Sequence, residues 1–198
     1  MKWFEPLLLQ LASDLASEGV RWAVIGGLAV GVRTEPRFTR DLDVVVSTAD
    51  DGEAEALVRS LLSKGYRILA QIEQTATLRL ATVRLAPPQA REGTIVDLLF
   101  ASSGIEPEVV AESEEIRAFD GPPAPIAQTP HLIALKILSR DDERREQDRR
   151  DLRMLIECAT PQELGRAQEL LALITSRGYD RGRDLQAAFD AAIREFAH

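Results

Sequence analysis

The chain has 198 residues, 45% of them hydrophobic and 28% charged, with a formal net charge of −8. That is the composition of an ordinary globular protein with a full core, and it excludes a protein coated broadly in positive charge for nucleic acid. No apolar run is long enough to cross a bilayer, the N-terminus lacks a basic-then-apolar leader, and the lone Cys158 excludes a disulfide framework or a cysteine-based zinc site and fits a reducing cytoplasm.

In chain order, residues 3 to 17 predict an amphipathic helix, with Phe4, Leu7, Leu8, Leu11 and Leu15 on one stripe. A short apolar run, Trp22 to Ile25, stops at Gly26–Gly27, and Leu28 to Val32 follows; that order predicts strand, glycine turn, helix. Leu42 to Val46 predicts a second strand, and Asp50 to Lys64 a helix stopped by Gly65. Tyr66 to Ile72 and Ala76 to Leu85 predict strands. The apolar alternation at Leu78 and Leu80 changes phase at Val83 and Leu85, which predicts a bulge near Ala81–Thr82. Thr94 to Phe100 predicts another strand, followed by a short helix and two strand-like pieces around Gly121.

Beyond residue 128 the pattern is helical, with helices expected at about 130–140, 144–157, 161–175 and 181–197. Thr129–Pro130 predicts an N-cap with proline at N1, and Thr160–Pro161–Gln162–Glu163 a capping box. The fold class is therefore α/β (α+β): a mixed sheet flanked by helices over 1–128, then a C-terminal helical bundle over 129–198. Trp3 and Trp22 fit core packing, and His131 is expected on the surface at a helix start.

The chemistry starts at Asp97, a single carboxylate within TIVDLLF. A buried carboxylate needs a partner or must neutralise. The plain alternatives are a strand end in water or a pair with an arginine. Asp41 and Asp43 repeat the anomaly at the mouth of the second strand, where the period of two puts both on one face. Three carboxylates facing one side of neighbouring strands call for a cation, and hard divalent ions take oxygen ligands together with substrate phosphates. Gly26–Gly27, between strand and helix, lets backbone N–H groups approach an anion, or is simply a tight turn. No G-K-[ST] occurs, which excludes a P-loop. Lys136 lies on a helix that is apolar on nearly every side, so its ammonium either snorkels to the rim or meets a partner. The run RDDERREQDRRDLR carries six basic and six acidic residues: a solvated helix with i,i+4 pairs such as Arg144 with Asp148, or a functional face on which Arg149, Arg150 and Arg153 meet RNA.

The string IGGLAVGVRTEPRFTRDLDVVV, with the later Asp97, resembles the DNA polymerase beta-like nucleotidyltransferase superfamily. Its R-x-T-x-D-L-D form, Arg37 to Asp43, and the downstream Lys136, Asp148, Asp151 and Leu152 resemble the AbiEii branch, which includes type IV toxin–antitoxin toxins. The resemblance spans residues 20 to 157 and implies transfer of a nucleoside monophosphate from an NTP, with release of pyrophosphate. It implies two Mg²⁺ ions (or Mn²⁺) on Asp41, Asp43 and Asp97, and Lys136 as a catalytic triphosphate contact. Gly26, Gly27, Arg37, Thr39, Arg144 and Asp148 take nucleotide-binding positions. The implied acceptor is RNA, such as a tRNA 3′ end, or protein; the implied partner is a cognate antitoxin. An aminoglycoside-type small-molecule transferase and a non-catalytic binding subunit are the alternatives.

Overall fold

The computed structural model describes residues 4–36, 38–39, 41–74, 77–88, 93–117, 122–139 and 146–196. Arg37, Arg144, Trp3 and the stretch 140–145 of the charged run lie outside them.

Helix α1 (Phe4–Ser17) leads into β1 (Arg21–Val24), α2 (Gly26–Arg33), β2 (Asp41–Ser47) and α3 (Asp51–Ser63). Then come β3 (Arg67–Glu73), β4 (Leu80–Ala86), β5 (Ile95–Leu99), α4 (Glu106–Ala111), β6 (Glu114–Arg117) and β7 (Pro123–Ile126). The described helices beyond the sheet are α5 (Thr129–Ser139), α6 (Glu146–Cys158), α7 (Pro161–Ser176) and α8 (Leu185–Phe196). The strands form one mixed sheet in the order β3-β4-β5-β2-β1-β7-β6. β2 runs parallel to β5 and antiparallel to β1, and β5 is antiparallel to β4.

The centre of the sheet is where the sequence is most apolar. Leu42, Val44, Val45 and Val46 of β2 are fully buried, as are Val96 and Leu98 of β5. Each such side chain contributes about 1.5–3 kcal/mol by leaving water, so the register of the two strands is firmly fixed. A one-residue slip would carry the carboxylates into the core. α2 and α4 pack on β2, and α5 packs on α2, α6 and α7, so α2 joins β2 to the helices that follow the sheet. No described helix is long and apolar enough to cross a membrane.

The bulge expected near Ala81–Thr82 is present: Ile72 pairs with Thr82 and Glu73 with Leu80, leaving Ala81 unmatched. The extra residue keeps Val83 and Leu85 inward while Leu78 is exposed. The capping box at Thr160 forms as expected, with Thr160 and Glu163 bonding reciprocally. Asp50 caps α3 by accepting from the Glu53 N–H. Two expectations are corrected. The helix expected from 181 begins at Leu185, because Arg181 and Gly182 adopt positive φ in a turn. His131 is fully buried rather than on the surface, since α5 turns its first residues inward against the core.

Among the described residues neither ring nitrogen of His131 has a hydrogen-bond partner, and Nε2 lies 3.5 Å from a Glu112 oxygen. Burial, opposed by the Glu112 charge, pushes its pKa down to about 4. The folded state thus binds this proton less readily than the unfolded chain. The resulting stability is present above the unfolded value of 6.5 and fades as pH falls toward 4. A conversion of 1.36 kcal/mol per pKa unit gives a contribution of up to about 3 kcal/mol. Thermal melts of the wild type and His131→Leu should therefore diverge between pH 6.5 and 4, with the wild type losing Tm more steeply.

Candidate active site

The polar row that breaks the sheet runs straight across three strands. Asp43 of β2 is directly opposite Asp97 of β5, and Asp97 is directly opposite Arg84 of β4. Asp41, two residues before Asp43, shares its face. The next row, Val44, Leu98 and Val83, is fully buried. Alternation along each strand thus sends one row into the core and the other into a cleft. The cleft encloses about 410 Å³ and is lined by Gly26, Gly27, Thr39, Asp41, Asp43, Arg84, Asp97, Lys136 and Asp148, among others.

Asp43 is seated on the glycine pair. The Gly27 N–H donates to its carboxylate. α2 has no side-chain N-cap of its own, so a carboxylate from the neighbouring strand meets the positive end of the helix. Gly26 has φ +61°, and a Cβ there would stand 1.9 Å from Asp43 Oδ2. Only glycine supplies both that backbone conformation and that space. The Asp43 carboxyl is pushed up to about 6 by burial and by the charges of Asp97 and Asp41, against the opposing pull of Lys136.

Asp97, almost wholly buried, accepts from Arg84 through both oxygens, at 2.9 Å from Nε and 2.7 Å from the terminal nitrogen. Of the plain alternatives for this residue, the pair with an arginine is the arrangement observed. Lys136 finds partners too: its ammonium lies 2.6 Å from Asp148 and 2.8 Å from the fully buried Asp151. Gln147 steadies Asp151 through a 2.9 Å hydrogen bond. Asp148 is therefore tied to Lys136 of the preceding helix. Thr39 donates its hydroxyl to the Asp41 carbonyl at 3.2 Å, bracing the approach to β2.

Of the three arginines of the expected basic face on α6, Arg149 pairs with Glu195 of α8 and Arg153 with Glu157 at 2.7 Å, while Arg150 is exposed.

Residues 9–197 match the family model described as nucleotidyl transferase AbiEii toxin, type IV toxin–antitoxin system. The chain belongs to the AbiEii nucleotidyltransferase family. No curated protein matches it. Among solved structures, an antigenic nucleotidyltransferase-like protein from Paracoccidioides brasiliensis shares the fold, with a TM-score of 0.56 and 20% identity over 96% of this chain and 93% of that one. The antibiotic-resistance factor ANT(2'')-Ia aligns at a TM-score of 0.48 and 18% identity, over 96% of this chain and 92% of that one. The nucleotidyltransferase toxin MenT4 from Mycobacterium tuberculosis aligns at 0.35 and 15%, over 96% and 94%.

The cleft of this AbiEii-family chain also contains residues that the sequence did not single out. Arg84 was legible only as a charge out of phase with Val83 and Leu85. Ser102 and Ser103 line the cleft in a loop held by Glu106, which accepts from both of their N–H groups. The turn after α7 braces that loop and α5. Arg177 bonds the Gly104 carbonyl and Glu108, and Arg183 donates to the Ile137 and Leu138 carbonyls at the end of the Lys136 helix.

Among the described residues, no three His, Cys, Asp or Glu side chains already converge as a finished metal cage. The donor chemistry nevertheless fits a hard divalent cation. Three carboxylates share one face, and crowding by the other two helps push the Asp43 carboxyl to about 6.

Two outcomes follow for this site. With divalent ions chelated, Asp43→Asn should raise Tm at pH 8, by about 1–3 kcal/mol of stability. The gain should shrink as pH falls below about 6, where the wild-type carboxyl begins to take up its proton, and vanish toward the ordinary value of 3.8. Gly26→Ala should lower Tm at every pH, by about 1–3 kcal/mol of backbone strain, because the new methyl would overlap Asp43.

Proposed function

We propose that the protein transfers a nucleoside monophosphate from an NTP to a hydroxyl of an RNA or protein acceptor, as a toxin restrained by a cognate antitoxin. The observation that carries this is that Asp41, Asp43 and Asp97 line one cleft together with the glycine pair and Lys136. In the transfer, the acceptor oxygen bonds the α-phosphorus, the bridge to the β-phosphate breaks, and pyrophosphate leaves with the electron pair.

Asp41 and Asp43 are the ligands proposed for two Mg²⁺ ions, or Mn²⁺, with Asp97 on one of them. Bound there, the ions would supply Lewis-acid stabilisation of charge on the entering and leaving oxygens. Asp97 receives the acceptor's proton. Lys136, oriented by Asp148 and Asp151, presents its ammonium to the triphosphate. Gly26 and Gly27 hold Asp43 and let the phosphates approach bare backbone; Thr39 keeps Asp41 in place. Arg37 and Arg144 are assigned to nucleotide by their motif positions alone.

A second cavity of about 750 Å³ shares Ser102, Ser139 and Arg181 with the cleft and reaches Glu73 and Asp180. It is the proposed seat for the acceptor, since it opens off the cleft without overlapping the glycine pair. The functional test is transfer of label from α-labelled NTPs to total RNA, to cellular protein or to an aminoglycoside panel. Label in RNA or protein supports the proposal, and label confined to the drug panel overturns its acceptor. Asp41→Ala and Asp43→Ala should each lower transfer by roughly 10²-fold or more, the scale of losing several kcal/mol of charge stabilisation. Undiminished transfer in the double variant would remove the assignment.

A further inference from the structure

The row Asp43–Asp97–Arg84 bears on how the site fills. We propose that Arg84 is the resident counter-cation of the carboxylate cluster, and that a divalent ion must take Asp97 from it. This rests on the metal-binding reading above.

The geometry has three parts. First, the Arg84 guanidinium uses two donors on the two oxygens of Asp97, a planar fork-to-carboxylate pair. Such a pair engages both oxygens that a metal would use. Second, the two partners differ in exposure: the Asp97 side chain is 10% exposed and that of Arg84 45%. The carboxylate is fixed by its strand, while the guanidinium reaches it from the open side and can swing into the cleft without disturbing the core. Third, the other cation of the cleft is already engaged. Lys136 is shared between Asp148 and Asp151, so without Arg84 the three carboxylates of β2 and β5 would keep only the partial pull of Lys136 and the Gly27 N–H on Asp43 as compensation.

Two cations of different kinds therefore compete for one carboxylate. The arginine is covalently tethered and always present, which makes the carboxylate cluster tolerable as the chain folds. The divalent ion carries twice the charge and also reaches Asp41 and Asp43, which gives it the advantage once its concentration is sufficient. Arg84 thus sets the metal threshold of the site. Its displaced guanidinium remains on β4 at the cleft wall, within the cavity where the anionic nucleotide is proposed to bind.

The test is a titration of the full chain with Mn²⁺, without nucleotide, read by calorimetry and by the metal-dependent rise in Tm. Arg84→Ala is expected to bind Mn²⁺ about tenfold more tightly than the wild type, equivalent to ~1.4 kcal/mol. Arg84→Gln, which keeps amide donors and side-chain bulk if the alanine variant folds poorly, should also bind more tightly, and Arg84→Lys should fall between Gln and the wild type. Equal or weaker Mn²⁺ binding by Arg84→Ala and Arg84→Gln, with normal binding by the wild type, overturns the competition while leaving the metal site standing. Absence of Mn²⁺ binding in the wild type and both variants, or binding unchanged by Asp43→Asn, overturns the metal reading itself and the competition with it.

Discussion

Asp43 and Asp97 stand opposite each other on parallel neighbouring strands, with Asp41 two residues away on the same face. Like charges at that spacing repel, and they do so beside a core in which Leu42, Val44 and Leu98 are fully buried. The rest of the molecule is arranged around that repulsion. The glycine pair gives Asp43 a helix terminus and a bare backbone to lean on. Arg84 gives Asp97 a guanidinium. The apolar half of each strand fixes the register that keeps the carboxylates out of the core. A site that needs this much compensation favours positive charge.

The helices after the sheet complete the same arrangement from the other side. α5 brings Lys136 to the cleft, and α6 supplies the two carboxylates that hold its ammonium. The turn between α7 and α8 reaches back through Arg177 to the loop after β5 and through Arg183 to the end of α5. The C-terminal residues thereby fix the two segments that border the cleft.

Much of this was legible in the sequence, for reasons that differ by residue. The strand at Leu42 to Val46 and the bulge at Ala81 follow from apolar phase, which register enforces. The capping box at Thr160 is local chemistry and needs no tertiary information. Asp41, Asp43 and Asp97 stood out because a carboxylate in a buried strand is costly. What stayed hidden depends on which strands become neighbours. Arg84 precedes Asp97 by only 13 residues in the chain. Its role nevertheless appears only once β4 and β5 pair antiparallel with those two residues opposite. His131 was misplaced because helix position alone does not say which end of α5 faces the core. The partner of Arg149 on α6 stayed hidden for a similar reason, since Glu195 arrives from another helix.

On the proposed reading, Asp41, Asp43 and Asp97 would form one cation-binding cluster in which a metal ion and Arg84 exchange. The most direct measurement is a crystal structure of the protein grown with Mn²⁺ and a non-hydrolysable NTP analogue, with the metal located by anomalous scattering. The expected result is anomalous density in contact with Asp41 and Asp43, triphosphate beside Gly26–Gly27, and Arg84 turned away from Asp97. Nucleotide bound elsewhere, or an intact Arg84–Asp97 pair beside a fully occupied metal site, would contradict it.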